Sequence, residues 1–265
     1  AGLTYPKGVM LLGVPGTGKS LSAKAVASSW KMPLLRLDFG KVFGGLVGES
    51  ENNIRETIKI AESISPCILW IDEIEKGLAN GGNSDGGTST RVFGTFLTWM
   101  QEKESEVFVL ATANDISALP PELLRKGRFD EIFFVDLPTF EERKEILDIH
   151  LRRRKQNPKT VNIDEVAKAT KGFSGAELDE IINEALFNIY KPKQKPVLKT
   201  EDLLESARNL FPLSRTMDER IKALRKWAKE RTKSASKYQP EELDKFSGTR
   251  LKSEVFVNDF LEFDD

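Results

Sequence analysis

The sequence has one cysteine, one histidine, almost no surplus charge and no long apolar run, and each shortage removes a class of protein. A lone cysteine, Cys67, cannot form a disulfide within the chain, which suits a reducing compartment. Its neighbours in "SPCILWID" are apolar, so it is expected as a small core residue and not as a reactive thiol. A lone histidine, His150, rules out an H-E-x-x-H zinc motif, which needs two. The 40 basic and 41 acidic residues leave a formal net charge of -1, so no field of one sign draws the chain to nucleic acid or to an anionic membrane. No stretch approaches the ~20 apolar residues of a membrane span, and no signal-peptide pattern is present. Ala1 stands where a methionine would open a complete chain, so the sequence is expected to be a piece of a longer protein.

What is there is organised in two styles. Up to about Pro138, apolar runs alternate with helical patterns. The runs are "GVMLLG" (8–13), "PLLRLDF" (33–39), "CILWID" (67–72), "VFVLATAN" (107–114) and "EIFFVDL" (131–137). They are nearly continuous in apolar residues, as strands covered on both faces should be. Helical patterns such as 19–30 and 50–65 lie between them. The alternation predicts an α/β layer structure with a parallel five-stranded sheet, whose ligands sit beyond the carboxyl ends of the strands. After Pro138 the strand signal stops, and 140–154, 174–190, 200–209 and 214–231 read as helices of a smaller all-helical domain. The expected boundaries are an α/β domain over 1–138, a helical domain over 139–232 and a tail over 233–265. In the last helix Ile221, Leu224, Trp227 and Ala228 share one face. From Arg215 to Lys237 there are nine basic residues against three acidic ones, read as a solvated face or a docking surface. "KPKQKP" (191–196) and the glycine-rich "NGGNSDGGTS" (80–89) read as loops. The acidic, aromatic end "EVFVNDFLEFDD" (254–265) reads as an element packed on the body or a contact for a neighbour.

Three strand ends carry chemistry. "GVPGTGKS" (13–20) fits G-x-x-x-x-G-K-[ST] between a strand and a helix, the setting a phosphate-binding loop needs. Glycines let the backbone N–H groups turn toward phosphates, and the helix N-terminus adds its positive dipole end. Gly13, Val14, Pro15, Gly16, Thr17, Gly18, Lys19, Ser20 and Leu21 are therefore expected to hold a nucleotide. Lys19 would reach the outer phosphates, and the Ser20 hydroxyl would ligate Mg2+. "CILWIDEIE" (67–75) ends a strand in Asp72 and Glu73. Asp72 is assigned to Mg2+ through its waters, and Glu73 to polarising the attacking water. "ATAN" (111–114) ends a third strand in Asn114, which can orient that water without adding charge, with Thr112 a weaker candidate for a similar role.

With these sites in order the sequence resembles the AAA ATPases over about residues 2–231. "GVPGTGKS" resembles Walker A, "ILWIDEIE" Walker B, "ATAN" sensor 1, and "LLRKGRFDE" (123–131) the second region of homology. "GFSGAEL" (172–178) resembles the sensor 2 helix start, and "GLVGESENNIRE" (45–56) the first pore loop with its helix. Within the family, "PLSRTMDERIKALRKWA" (212–228) looks most like AAA proteins of cyanobacteria and algal plastid genomes. The resemblance implies ATP and Mg2+ as cofactors, a P-loop sheet followed by a helical lid, and a homo-oligomeric ring, usually a hexamer. It also implies an unidentified protein partner to be remodelled and a cytoplasmic or plastid-stromal location; with no nucleic-acid module and no strong positive charge in the sequence, no nucleic-acid partner is expected. Arg125 and Arg128 match arginines that reach the γ-phosphate held by a neighbouring subunit; an ion pair within the chain with Asp130 or Glu131 is the alternative. His150 matches a lid histidine that contacts the nucleoside. Gly175 and Ala176 match lid positions against the nucleotide, where no arginine stands. Two departures are notable. Leu46, with Phe43 three residues earlier, replaces the aromatic of many threading pores, and Glu75 replaces an aspartate.

Overall fold

A computed structural model describes residues 2, 5–42, 49–79, 88–125, 127–191 and 196–238. Phe43, Leu46, residues 80–87 of the expected loop, Lys126 and the 254–265 end lie outside the described residues.

The first part is a parallel sheet wrapped by helices. Its strands are β1 (Gly8–Gly13), β2 (Leu34–Leu37), β3 (Cys67–Ile71), β4 (Val107–Ala113) and β5 (Glu131–Val135). Between them run α1 (Lys19–Trp30), α2 (Phe39–Val42), α3 (Glu49–Ser63), α4 (Lys76–Ala79) and α5 (Thr88–Glu102). β3 is buried at every residue and β4 at all but one, which is why both read as unbroken apolar runs instead of alternating ones. Cys67 is a buried free cysteine, as its apolar neighbours predict. One face of the sheet buries Met10, Leu12, Leu69, Ile71 and Val109 against Ile54, Phe93 and Phe96. The other buries Leu11, Ile68, Trp70 and Leu110 against Ala23 and Ala27 of α1. Small residues on α1 let that helix lie close to the strands.

The helical part holds α6 (Phe140–Arg153), α7 (Ile163–Ala169), α8 (Gly175–Ile189) and α9 (Thr200–Asn209), packed round Leu147, Leu151, Leu178, Ile181, Ile182 and Leu203. Local chemistry fixes where these helices start. Thr139 and Glu142 close a reciprocal capping box at α6, and Ser174 and Glu177 do the same at α8. Arg143, 2% exposed, donates to Pro138 O at 2.8 Å and to Ala167 O at 2.9 Å. It joins the end of the sheet domain to α7. Arg143→Ala is expected to cost about 2–4 kcal/mol, because both carbonyls lose a charged donor in a buried site. Chemical denaturation would read this as a lower midpoint.

The stretch expected as one helix over 214–231 is two, α10 (Leu213–Thr216) and α11 (Asp218–Ala228), separated at Met217. Ile221, Leu224 and Ala228 are buried, with Trp227 packed beside them, as the spacing predicts. Their partners are in the sheet domain, however. Leu224 and Ala228 belong to the core cluster of Met10 and Leu12, and Ile221 packs with Val14 and Leu137. Arg225 pairs with Asp136 at 2.8 Å, and Arg220 with Asp115 at 2.6 Å, so part of the basic run answers acids on the sheet domain.

The chain then adds a sixth strand, β6 (Lys233–Ser234), giving the order β2-β3-β4-β1-β5-β6 with every neighbouring pair parallel. The sequence predicts five strands. The sixth is two residues long and exposed at both, so it leaves no apolar run to read.

Candidate nucleotide-binding site

The P-loop follows β1 at the carboxyl edge of the sheet. Gly16 at φ 76° and Gly18 at φ 91° take left-handed backbone that a side chain would resist. At Gly16 space is also short, since an added Cβ would sit 2.9 Å from Ser174 Oγ. The lid touches the loop at that point, where the Ala176 N–H donates to Gly16 O at 2.9 Å. The first turn of α8 is therefore fastened to the phosphate loop, and a movement of one bears on the other.

Lys19 is 5% exposed, and its ammonium donates to Gly13 O at 3.1 Å and Val14 O at 2.6 Å. Burial pulls it down to about 8, against the opposing pull of Glu75, Glu73 and Asp72. It is a desolvated cation whose partners here are neutral carbonyls. An anion in the loop would be a better one.

Beside it the acids form a connected set. Ser20 Oγ donates to Asp72 Oδ1 at 2.7 Å, and Thr112 Oγ1 donates to the same oxygen at 2.8 Å. Arg36 lies 3.6 Å from Asp72 Oδ2 on an exposed edge. Glu73 has φ 50°, the left-handed region, and its N–H donates to Thr112 Oγ1 at 2.9 Å. Its side chain accepts from Asn114 Nδ2 at 3.0 Å and ion-pairs with Lys76. Glu75 is buried, and burial pushes its carboxyl up; its Oε1 accepts the Asn114 N–H at 2.9 Å. Glu75, a minor change by sequence, thus holds the end of the strand that presents Asn114.

One cleft of about 610 Å³ gathers most of these parts, while Asp72 and Glu75 stand behind its lining, bonded to Ser20 and Thr112 and to Asn114. Pro15 to Ser22 line it together with Glu73, Thr112 and Asn114 from the sheet and Ile146, His150, Gly175, Ala176 and Asp179 from the lid. Of the expected nucleotide residues, Gly13 and Val14 lie just behind the lining, giving their carbonyls to Lys19. His150 Nδ1 lies against Asp179 Oδ1, which also takes Arg154 at 2.7 Å. Burial lowers the His150 pKa while Asp179 opposes it. Asp179, Ile146 and Lys76 were not singled out by sequence, and Glu75 stood out only as a replacement for aspartate. Asp179 is one α-helical turn beyond Gly175, so the helix period was the signal that could have found it.

Arg125 and Arg128 are not brought to this cleft. They precede β5, and the residues on either side of Arg128 sit at the start of β1: Gly8 N–H donates to Asp130 Oδ2 at 2.9 Å, and Lys7 Nζ to Gly127 O at 2.8 Å. All strands being parallel, that is the edge opposite the P-loop, and the length of β1, roughly 16 Å, lies between. Arg125 is exposed, and Arg128 donates to Glu122 O. Glu131 pairs with Lys233.

The profile described as "ATPase family associated with various cellular activities (AAA)" matches residues 9–137, and that of the "AAA+ lid domain" matches 160–205. The uncharacterized AAA domain-containing protein ycf46 of Pyropia yezoensis is 51% identical over 86% of this chain and 46% of its own length. That of Guillardia theta is 49% identical over 86% of this chain and 45% of its own. The chain thus spans less than half the length of these relatives. A cell division cycle protein 48 homolog from Archaeoglobus fulgidus is 34% identical, covering 85% of this chain and 31% of that protein. Among solved structures, the FIGL-1 AAA domain superposes with a TM-score of 0.71 at 25% identity, over 86% of this chain and 78% of that one.

Proposed function

Because this chain belongs to the AAA ATPase family, we propose that it hydrolyses ATP with Mg2+ in a ring-type homo-oligomer, hexameric by analogy, and that turnover remodels a protein partner. The observation that carries the reading is the cleft itself. Lys19, the Ser20–Asp72 pair and the Glu73–Asn114 pair come from three strand ends and meet in one place. The donors fit the ligands. A buried ammonium with only carbonyl partners suits outer phosphates. A hydroxyl 2.7 Å from a carboxylate offers hard oxygens for a cation that keeps several waters, as Mg2+ does.

In this reading Ser20 Oγ and Asp72, the latter through water, would hold the ion. When bound, it neutralises charge on the outer phosphate oxygens. Glu73 accepts the proton of the attacking water as that oxygen bonds to the γ-phosphorus and the bond to the ADP oxygen breaks. Asn114 Nδ2 fixes the Glu73 carboxylate and lies where it can orient the water. Gly175, Ala176 and His150 close the nucleoside side of the cleft. Arg125 and Arg128 act on the cleft of the next subunit, which their place at the opposite sheet edge favours. A contact that brings one edge of a subunit to the other edge of its neighbour is head-to-tail, the kind that closes into rings.

Lys19→Ala is expected to show no ATP binding at concentrations that saturate the parent, and no Mg2+-dependent phosphate release. Binding at unchanged affinity, measured by calorimetry, would contradict the site assignment. One observation favours a second reading, a nucleotide-dependent switch or scaffold whose assembly outweighs its turnover: Lys76 and Asn114 together hold the Glu73 carboxylate. Partner capture that persists in Glu73→Gln with ATP bound, together with a cellular role that survives without hydrolysis, would favour the switch. No helix among the described residues is long and apolar enough to cross a membrane. A cytoplasmic or plastid-stromal place, with no nucleic-acid partner, completes the proposal.

A further inference from the structure

We propose that Thr112 is a positioning residue that sets the two acids, Asp72 and Glu73, relative to each other. The inference rests on the reading of the cleft as an ATP site. Thr112 is 1% exposed at the end of β4. A hydroxyl has one proton and two lone pairs. The proton of Thr112 goes to Asp72 Oδ1 at 2.8 Å, and a lone pair receives the Glu73 N–H at 2.9 Å. One oxygen atom on β4 is thus bonded both to the side chain expected to hold the cation and to the backbone of the residue expected to take the proton.

The Glu73 contact matters because of its backbone. A glutamate at φ 50° adopts a conformation that a non-glycine residue rarely keeps without restraint. Two hydrogen bonds from one strand supply the restraint: Glu73 N–H to Thr112 Oγ1, and the next amide, Ile74 N–H, to Thr112 O at 3.0 Å. The second is a backbone bond that any residue at 112 provides. The first needs a hydroxyl. The turn aims the Glu73 side chain at Asn114, two residues after Thr112 and just past the end of β4, so Thr112 and Asn114 hold the same glutamate at its backbone and at its carboxylate. On the other side Asp72 Oδ1 receives two hydroxyls, Ser20 from the P-loop and Thr112 from β4, and so is fixed between the two.

The test compares the chain with Thr112→Val, which keeps the shape and removes the hydroxyl, and Thr112→Ser, which restores it. Two quantities are read: kcat for ATP, and the factor by which Mg2+ tightens ATP binding in calorimetry. Thr112→Val is expected to lower kcat by about 10–100-fold and to shrink the Mg2+ factor, as loss of an outer partner of a metal-binding carboxylate does. Its affinity for metal-free ATP, set by the P-loop and Lys19, is expected to stay at the parental value. Thr112→Ser is expected to recover both quantities. The proposal is overturned if Thr112→Val keeps the parental kcat and Mg2+ factor. It is also overturned if Thr112→Ser fails to restore them, which would assign the effect to packing of the methyl, or if metal-free affinity falls together with them. Should the parent show no turnover, the hydrolysis reading fails by itself, and the Mg2+ factor still decides the role of Thr112.

Discussion

Glu73→Gln should bind ATP about as well as the parent and hydrolyse it roughly 10²–10⁴-fold more slowly, the range lost when a general base is removed. The substitution keeps the shape of the side chain, and the amide oxygen can still accept from Asn114 Nδ2, which now lies 3.0 Å from Glu73 Oε1. The groups that grip phosphate, Lys19 and the loop amides, are untouched. What goes is a carboxylate able to take a proton. Loss of the ion pair with Lys76 adds little, because that lysine is exposed. Single-turnover phosphate release measures the chemical step and calorimetry the affinity. Equal turnover in parent and variant would remove Glu73 from the role of base. A fall in both quantities would mean that the carboxylate supports the nucleotide instead.

Arg128→Ala should lower turnover about 10³-fold or more, the scale of arginines that stabilise charge on a transferring phosphoryl group. It should leave ATP affinity and folding nearly unchanged. The geometry makes this result informative. Arg128 lies at the amino edge of the sheet and donates to Glu122 O, whereas the cleft opens at the carboxyl edge. A large kinetic effect from a residue so far from the cleft of its own chain has to act on another chain. The parental turnover per chain should then rise with protein concentration as subunits associate, while that of the variant stays flat.

The sequence made the sheet and its three strand ends legible because fully buried parallel strands read as unbroken apolar runs, and β1, β3 and β4 each end in residues that leave that pattern. Gly16 and Gly18 were legible because the loop needs positive φ there. Other features were hidden for physical reasons. β6 is a two-residue exposed edge, where backbone pairing needs no apolar side chain. The periodicity of α11 showed which face is buried but not against what, so its place on the core of the sheet domain could not be foreseen. Thr112 was noted only as a possible partner of water. Its bonds to Asp72 and Glu73 depend on the parallel register of β3 and β4, which pairs Ile71 with Ala111, and a register is a property of the fold. Glu75 looked like a conservative exchange until its carboxylate was found on the Asn114 amide.

Mixing two slowed variants tests the central claim, an ATP site completed by the neighbouring copy, most directly. Glu73→Gln keeps its arginines, and Arg128→Ala keeps its base. In a head-to-tail assembly of the two, a cleft from the Arg128→Ala chain that faces an arginine from the Glu73→Gln chain has every part. The account predicts that an equimolar mixture regains a substantial share of parental turnover although each variant alone is slowed by about 100-fold or more. If the two chains bind ATP and co-assemble, and the mixture is still no more active than the sum of its parts, the account is contradicted.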